Sequence, residues 1–273
     1  MSSVPNLRAC LAVAKQAAQA ASEVLEEFRS RAGRLPAASK GVRRELVTEA
    51  DQAAERAAVS CLLSAFPDHA VLAEEGALTP KGQASRDSDS LWIIDPLDGT
   101  TNFVHDLPFY CVAIGLQHRG EMVVAVVQAP ALGKTYLAQL GAGASCNGEP
   151  IAVSSTDEVA DAMLCTGFSY VRNEPGRDDN VARMHRALLA CRDLRRFGSA
   201  QLDLCLTAAG HYDGYWELDL MPYDVAAGSL IVREAGGRIS DLSGEEDWLH
   251  GGQILASNGL LHEQLLGLVG NSS

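Results

Sequence analysis

Basic residues are scarce in this chain: 22 Lys and Arg stand against 35 Asp and Glu, a formal net charge of −13. General binding to nucleic acid or to an anionic membrane needs basic patches that neutralise phosphates, so neither partner is expected. Paired cysteines are also missing. The seven cysteines, at positions 10, 61, 111, 146, 165, 191 and 205, form no CxxC pair, and an odd count suits a reducing compartment better than a disulfide framework. No apolar run approaches the roughly 20 residues that span a bilayer, and the first residues lack a basic segment followed by a long apolar block. A cytoplasmic location is therefore expected. There is no internal repeat, low-complexity tract or obvious linker. What is present is enough apolar material for a large core: 273 residues, 47% hydrophobic and 21% charged. One domain over 1–273 is the expectation, with closely packed halves at about 1–155 and 156–273.

Helical spacing opens the chain. Leu7, Leu11, Ala14, Ala18, Ala21 and Leu25 share one face of a helix running from Val4 to about Arg31. Gly33, Pro36 and Gly41 predict a loop or loose hairpin over 31–44, and Thr48-Glu49-Ala50-Asp51 opens a second helix that Phe66-Pro67-Asp68 ends. Val71-Leu72-Ala73 reads as a strand leading to Glu74-Glu75, and Leu91-Trp92-Ile93-Ile94 as a core strand leading to Asp95 and Asp98. Strands follow at 110–117, 122–128 and 134–139, with turns at Arg119-Gly120 and Asn147-Gly148, which together predict antiparallel sheet. The second half alternates. It predicts strands at 163–166, 194–197, 212–218 and 238–240, and helices at about 178–191, 198–210 and 222–235.

The chemistry concentrates at element ends. Asp95-Pro96-Leu97-Asp98-Gly99-Thr100-Thr101 places two carboxylates and a glycine-led helix start directly after a buried strand, where α/β proteins place ligands. Gly99 permits a tight turn, and the amides at the helix start are candidate anion donors. Hard divalent cations such as Mg²⁺ take oxygen ligands from several carboxylates, which Glu74, Asp95, Asp98 and Asp224 can supply together with the Leu97 carbonyl. Several of these residues have a plainer reading as well, Asp98-Gly99 as a simple turn. Glu74-Glu75 also reads as a solvated loop, Asp224 as a helix-dipole partner, Asp51 as half of a capping box with Thr48, and Thr100 as a helix cap. An aspartate nucleophile would have its second aspartate two residues on; the spacing here is three, and no phosphoenzyme is expected. His105 and Cys146 lie near these motifs without metal-ligand spacing and read as structural.

Two long motifs carry a resemblance. Trp92-Ile93-Ile94-Asp95-Pro96-Leu97-Asp98-Gly99-Thr100-Thr101-Asn102-Phe103 and Tyr223-Asp224-Val225-Ala226-Ala227-Gly228, the latter continuing to Glu234-Ala235-Gly236-Gly237, resemble the signatures of the inositol monophosphatase family. Glu74-Glu75 and Gly198-Ser199-Ala200 add to it, and Tyr223 departs from the usual tryptophan while keeping an aromatic beside Asp224. The resemblance implies an α/β (α+β) fold, the layered αβαβα sandwich of the sugar-phosphatase and fructose-1,6-bisphosphatase type. It implies Mg²⁺-dependent hydrolysis of a small phosphorylated polyol, most simply myo-inositol 1-phosphate, with histidinol phosphate, fructose 1,6-bisphosphate or 3′-phosphoadenosine 5′-phosphate as alternatives. A non-catalytic regulatory binding protein is the reading from a different class. By the same resemblance, Glu74, Asp95 and the Leu97 carbonyl hold one Mg²⁺; Asp95, Asp98 and Asp224 hold a second, and Glu74 with waters a third. The substrate phosphate rests on the Gly99 and Thr100 amides, Ala200 and Glu217 meet substrate hydroxyls, and Asp98 and Asp224 also bind the substrate. Thr100 orients the attacking water with Asp51 as proton acceptor, assisted by Glu74, and Lys40 matches a loop lysine. Glu217 reads equally as a strand-end acid in water, and Lys40 as a solvated lysine. A homodimer and inhibition by Li⁺ are implied too.

Overall fold

The computed structural model describes the backbone at residues 5–32, 40–76, 84, 87–170, 174, 176 and 178–270, and the side chains of all of these except 32 and 40–48. Two long helices come first, α1 (Leu7–Ala32) and α2 (Lys40–Ala65). On α1, Ala14, Ala18, Ala21 and Leu25 are fully buried, as their spacing requires, and on α2 Ala50, Ala54, Ala58 and Leu62 repeat every four residues on the buried face. Small alanines on both helices let them lie close together. The expected loop over 31–44 is too long: α2 already starts at Lys40, because Arg43-Arg44-Glu45-Leu46 are good helix formers and no proline interrupts them. Thr48 and Asp51 are consequently inside a helix rather than a capping box at its start, and Gly33 and Pro36 lie outside the described residues.

A seven-stranded sheet follows in the order β1 (Ala70–Ala73), β2 (Ser90–Asp98), β3 (Cys111–His118), β4 (Glu121–Ala129), β5 (Lys134–Gln139), β6 (Ala144–Cys146) and β7 (Glu149–Pro150). The pair β1–β2 is parallel and the rest antiparallel, as the turn signals predict. Period-two alternation sorts its residues between two cores. Trp92, Ile94, Val112, Ile114, Leu116, Val124 and Val126 face α1 and α2, whereas Ile93, Cys111, Ala113, Ala125 and Val127 face the other way.

The second sheet runs β11 (Arg238–Ser240), β12 (Gln253–Ser257), β10 (Gly214–Leu218), β8 (Met163–Thr166) and β9 (Asp193–Arg195). Between the sheets lie α5 (Ala200–Ala208) and α6 (Pro222–Glu234), touching strands of both. On the far face of the second sheet pack α4 (Val181–Ala190) and α7 (His262–Val269), around Leu164, Trp216, Leu255 and Leu265. The layers therefore read αβαβα, as expected. The closing β12 and α7 had no counterpart in the sequence reading, which stopped at Ser240.

Candidate active site

The first site residues are aligned by a bulge. Asp95 of β2 pairs with Ala113 and Asp98 with Cys111, so three residues of β2 run against two of β3. In a regular strand, residues three apart face opposite ways; the extra residue restores both aspartates to one side. Pro96 suits this place because it has no N–H to offer the ladder, and the freed Leu97 amide donates to Asp95 Oδ1 at 3.0 Å. β2 thus carries both acids within it rather than ending before them. Beside them, the Glu74 amide donates to the Ile94 carbonyl at 3.3 Å, which carries the parallel β1–β2 pairing on to the acid after β1.

Gly99 follows with φ 91° and caps α3 (Thr100–Val104). A Cβ there would stand 2.8 Å from the Phe109 carbonyl oxygen, so both the left-handed backbone and the space demand glycine. Thr100 is the first helical residue rather than the cap, and its hydroxyl donates to the Leu97 carbonyl at 3.0 Å. Asn102 donates from Nδ2 to the Phe109 and Phe197 carbonyls at 2.7 and 2.9 Å, which draws the turn before α5 against the motif.

That turn meets Asp98. Its Oδ2 accepts from the Ser199 hydroxyl at 2.6 Å and the Gln201 amide at 2.7 Å, and its Oδ1 from the Ala200 amide at 3.2 Å. The start of α5 is therefore built onto the Asp98 carboxylate, and the Ala200 N–H is engaged there. Asp224 occupies the first turn of α6, behind Pro222, and its Oδ2 accepts from the Met221 amide at 2.6 Å. This is the helix-terminal role the sequence allowed, and it leaves Asp224 on the pocket wall.

A pocket of about 670 Å³, its open mouth included, collects these elements. Glu74, Asp95, Leu97, Asp98, Gly99, Thr100, Ala200, Glu217 and Asp224 all line it. Asp51 is buried on α2 and does not line the pocket, although its charge acts on Asp95. Glu55, one helical turn further on, holds the adjacent loop by accepting the Glu75 amide at 2.6 Å. The Lys40 side chain lies outside the described residues.

Burial pushes the Asp95 carboxyl well above its ordinary range, and repulsion from Glu74, Asp98, Asp224 and Asp51 adds to this. Burial raises Asp224 in the same direction against the lowering effect of the Met221 amide, with Asp98, Glu74 and Glu217 adding repulsion. Asp98 is raised by burial too, while its hydrogen-bond donors oppose the shift. Hard oxygens crowded together, with Arg196 the one cationic residue lining the described pocket, are a donor set that fits Mg²⁺. Among the described residues no three His, Cys, Asp or Glu side chains already form a metal-holding group. Asp95, Asp98 and Asp224 each turn at least one oxygen to a protein donor instead.

Glu217 is no solvated strand-end acid. It accepts the Tyr215 hydroxyl at 2.5 Å, and its carboxyl lies so close over Gly167 that a Cβ there would stand 1.9 Å from Oε2. Burial raises its pKa to about 7, against the lowering effects of Tyr215 and Arg196. The sequence reading missed Arg196, Phe168, Ser169, Tyr170 and Asp219, which also line the pocket. Arg196 carried a signal, a second arginine just before the Gly198 turn; the others stand in loops without any motif.

Comparison with known proteins agrees with this fold. The chain is 39% identical to a Nus factor SuhB of Pseudomonas aeruginosa over 257 residues, 94% of each protein. It is 42% identical to an inositol-1-monophosphatase of Synechocystis, covering 83% of this chain and 77% of that one. The solved inositol monophosphatase of Anabaena superposes with a TM-score of 0.86 at 38% identity, over 97% of this chain and 96% of that one. Two relatives so alike in sequence bear the names of an enzyme and of a Nus factor, so their names alone do not say what the pocket does. What they share is the frame, and the family model for it matches residues 6–273, from the first turn of α1 past the end of α7; the chain belongs to the inositol monophosphatase family.

Proposed function

We propose that the chain is a Mg²⁺-dependent phosphomonoesterase that converts myo-inositol 1-phosphate, or a similar small polyol phosphate, to the free alcohol and inorganic phosphate. The observation that carries this reading is the gathering of Glu74, Asp95, Asp98 and Asp224 around one pocket with the Leu97 backbone and the Gly99-Thr100 helix start. A carboxylate set of this kind opposes an anionic substrate unless cations stand between them. Glu74, Asp95 and the Leu97 carbonyl would hold one Mg²⁺, and Asp95, Asp98 and Asp224 a second, with Glu74 available to a third. Bound there, Mg²⁺ neutralises phosphate charge and lowers the pKa of water.

The chain's own groups do the rest. The Gly99 and Thr100 amides lie at a turn that only glycine can make and receive phosphate oxygens. With its proton at the Leu97 carbonyl, the Thr100 hydroxyl keeps its lone pairs for a water, and Asp51 behind it accepts the proton. Water then attacks phosphorus in line, the ester P–O bond breaks without a phosphoenzyme, and the leaving alkoxide takes a proton from solvent water to become the alcohol. Glu217 accepts from substrate hydroxyls at the far side of the pocket, where its carboxyl is held by Tyr215. The same reading carries a homodimer and inhibition by Li⁺ at a magnesium position.

Arg196 favours a second reading in one respect. As the cationic residue of the described pocket wall, it suits a substrate with another anionic group, such as fructose 1,6-bisphosphate or 3′-phosphoadenosine 5′-phosphate. Histidinol phosphate has no such group. A phosphate-release screen over these four substrates with Mg²⁺ decides. Highest kcat/KM for inositol 1-phosphate supports the first reading, and highest kcat/KM for a doubly phosphorylated ester supports the second. No release from any of them, with stoichiometric binding of a macromolecule, supports a non-catalytic role of the kind suggested by relatives named as Nus factors.

A further inference from the structure

One buried side chain ties α6, which carries Asp224, to α5, whose first residues donate to Asp98. Gln201 is the second residue of α5 and has no exposed surface. Its backbone amide is one of the donors that fix Asp98. Its side chain leaves α5 and reaches α6, where Nε2 donates to the Tyr223 carbonyl at 2.7 Å and Oε1 accepts from the Gly228 amide at 2.6 Å. Those two contacts bracket Asp224, one at the residue before it and one four residues after it.

The approach is close. A Cβ on Gly228 would stand 2.7 Å from Leu204 Cβ and 2.9 Å from Gln201 Oε1, so the two helices meet at this point with no room to slide. The pairing also demands an amide. Tyr223 presents an acceptor and Gly228 a donor, and a primary amide answers both from one planar group. A carboxylate would set an acceptor against the Tyr223 carbonyl, a thioether of the same length would leave both groups unmatched, and asparagine is one methylene short.

Resting on the reading of the pocket as a magnesium site, we propose that Gln201 is a positioning residue that sets the separation of Asp98 from Asp224 and thereby the affinity of the second cation. It touches neither substrate nor metal. Asp98 accepts from the main chain of Gln201, and the Gln201 side chain holds the α6 main chain on either side of Asp224, so both carboxylates are referenced to a single residue. The first cation, which Glu74, Asp95 and the Leu97 carbonyl would hold, does not depend on it, because Glu74 directly follows β1 and the other two groups belong to β2.

The test is Mg²⁺ titration by calorimetry, without substrate, of the wild-type chain, Gln201→Met and Gly228→Ala, with melting temperatures recorded alongside. Gln201→Met keeps the volume and removes both hydrogen bonds. Gly228→Ala keeps Gln201 but pushes its Oε1 aside. The expected result is one Mg²⁺-binding step weakened about tenfold or more in both variants, the usual scale for groups that orient metal ligands, with another step changed by less than about twofold. In turnover, the Mg²⁺ concentration for half-activation should rise by the same factor, and saturating Mg²⁺ should restore kcat. A melting temperature that falls while both binding steps stay within about twofold of wild type would overturn the role of Gln201 and leave it a packing residue. A wild-type chain that binds no Mg²⁺ would overturn the metal-site reading beneath it, which is a separate outcome. If Gln201→Met does not fold, Gln201→Glu, which keeps the shape and removes the donor to the Tyr223 carbonyl, decides by the same criterion.

Discussion

Gly167→Ala should damage recognition of the alcohol and spare the chemistry. A Cβ at Gly167 would stand 1.9 to 2.2 Å from the three atoms of the Glu217 carboxyl group, whereas an ordinary contact begins at 3.4 Å. One side must give way by about 1.5 Å. The backbone is the less able to do so, since the Gly167 carbonyl accepts from Asn180 Nδ2 at 2.8 Å and Thr166 before it is paired with Trp216 in the sheet. The Glu217 carboxyl therefore swings away, losing the 2.5 Å bond from Tyr215. A hydrogen bond to a charged group contributes about 1.5–3 kcal/mol, so losing the one Glu217 makes with a substrate hydroxyl should raise KM for inositol 1-phosphate by about 10- to 150-fold. The buried Tyr215 hydroxyl left without its acceptor should lower stability by about 1–3 kcal/mol. The assay is steady-state phosphate release from inositol 1-phosphate beside an ester whose alcohol has no hydroxyls, such as 4-nitrophenyl phosphate. KM should rise for the first and stay unchanged for the second. Equal effects on both substrates, or none on either, would remove Glu217 from alcohol recognition.

Three further outcomes follow from the same structure. Gly99→Ala must bear a left-handed backbone and a 2.8 Å approach to the Phe109 carbonyl, and should lose about 2–4 kcal/mol, read as a fall in melting temperature of roughly 4–10 °C. An unchanged melting temperature would mean the turn can reshape. Asp95→Asn should abolish turnover while the metal-free protein melts no lower than wild type, because a buried carboxylate pressed by Glu74, Asp98, Asp224 and Asp51 is replaced by a neutral group. Near-normal turnover would take Asp95 out of the mechanism. His262, buried between the Ser240 and Ser257 hydroxyls, has its pKa lowered from 6.5 to about 4, first by burial and then by Arg238. A base whose folded pKa is depressed stabilises the fold fully above its unfolded pKa. The contribution falls away as pH drops from 6.5 toward about 4, by about 3 kcal/mol in all. Urea unfolding of wild type and His262→Gln across this range checks it: the variant should show the shallower decline, and parallel declines would refute the assignment.

Much of this architecture was legible because periodicity is local. The alanine face of α1, the apolar runs of β3 and β4 and the turn at Arg119-Gly120 each follow from a few neighbouring residues. The start of α2 was misread because Gly41 suggested a break, while the strong helix formers after it carried the helix through. The closing strand β12 was missed for a different reason. Gln253-Ile254-Leu255-Ala256-Ser257 is a strand because β10 and β11 flank it, and a pairing of that kind has no signature within five residues. At the site, spacing pointed to Asp95, Asp98 and Asp224, but not to the bulge that turns the first two to one side. Gln201 was invisible, since its role exists only where α5 and α6 meet.

The most direct test of the account is release of phosphate from inositol 1-phosphate by chelator-treated protein as Mg²⁺ is added back. No release is expected without Mg²⁺, with recovery in proportion to Mg²⁺ occupancy, and no recovery in Asp95→Asn at any Mg²⁺ concentration. Release that survives chelation, or a labelled acyl-phosphate trapped on Asp95 during turnover, would contradict it.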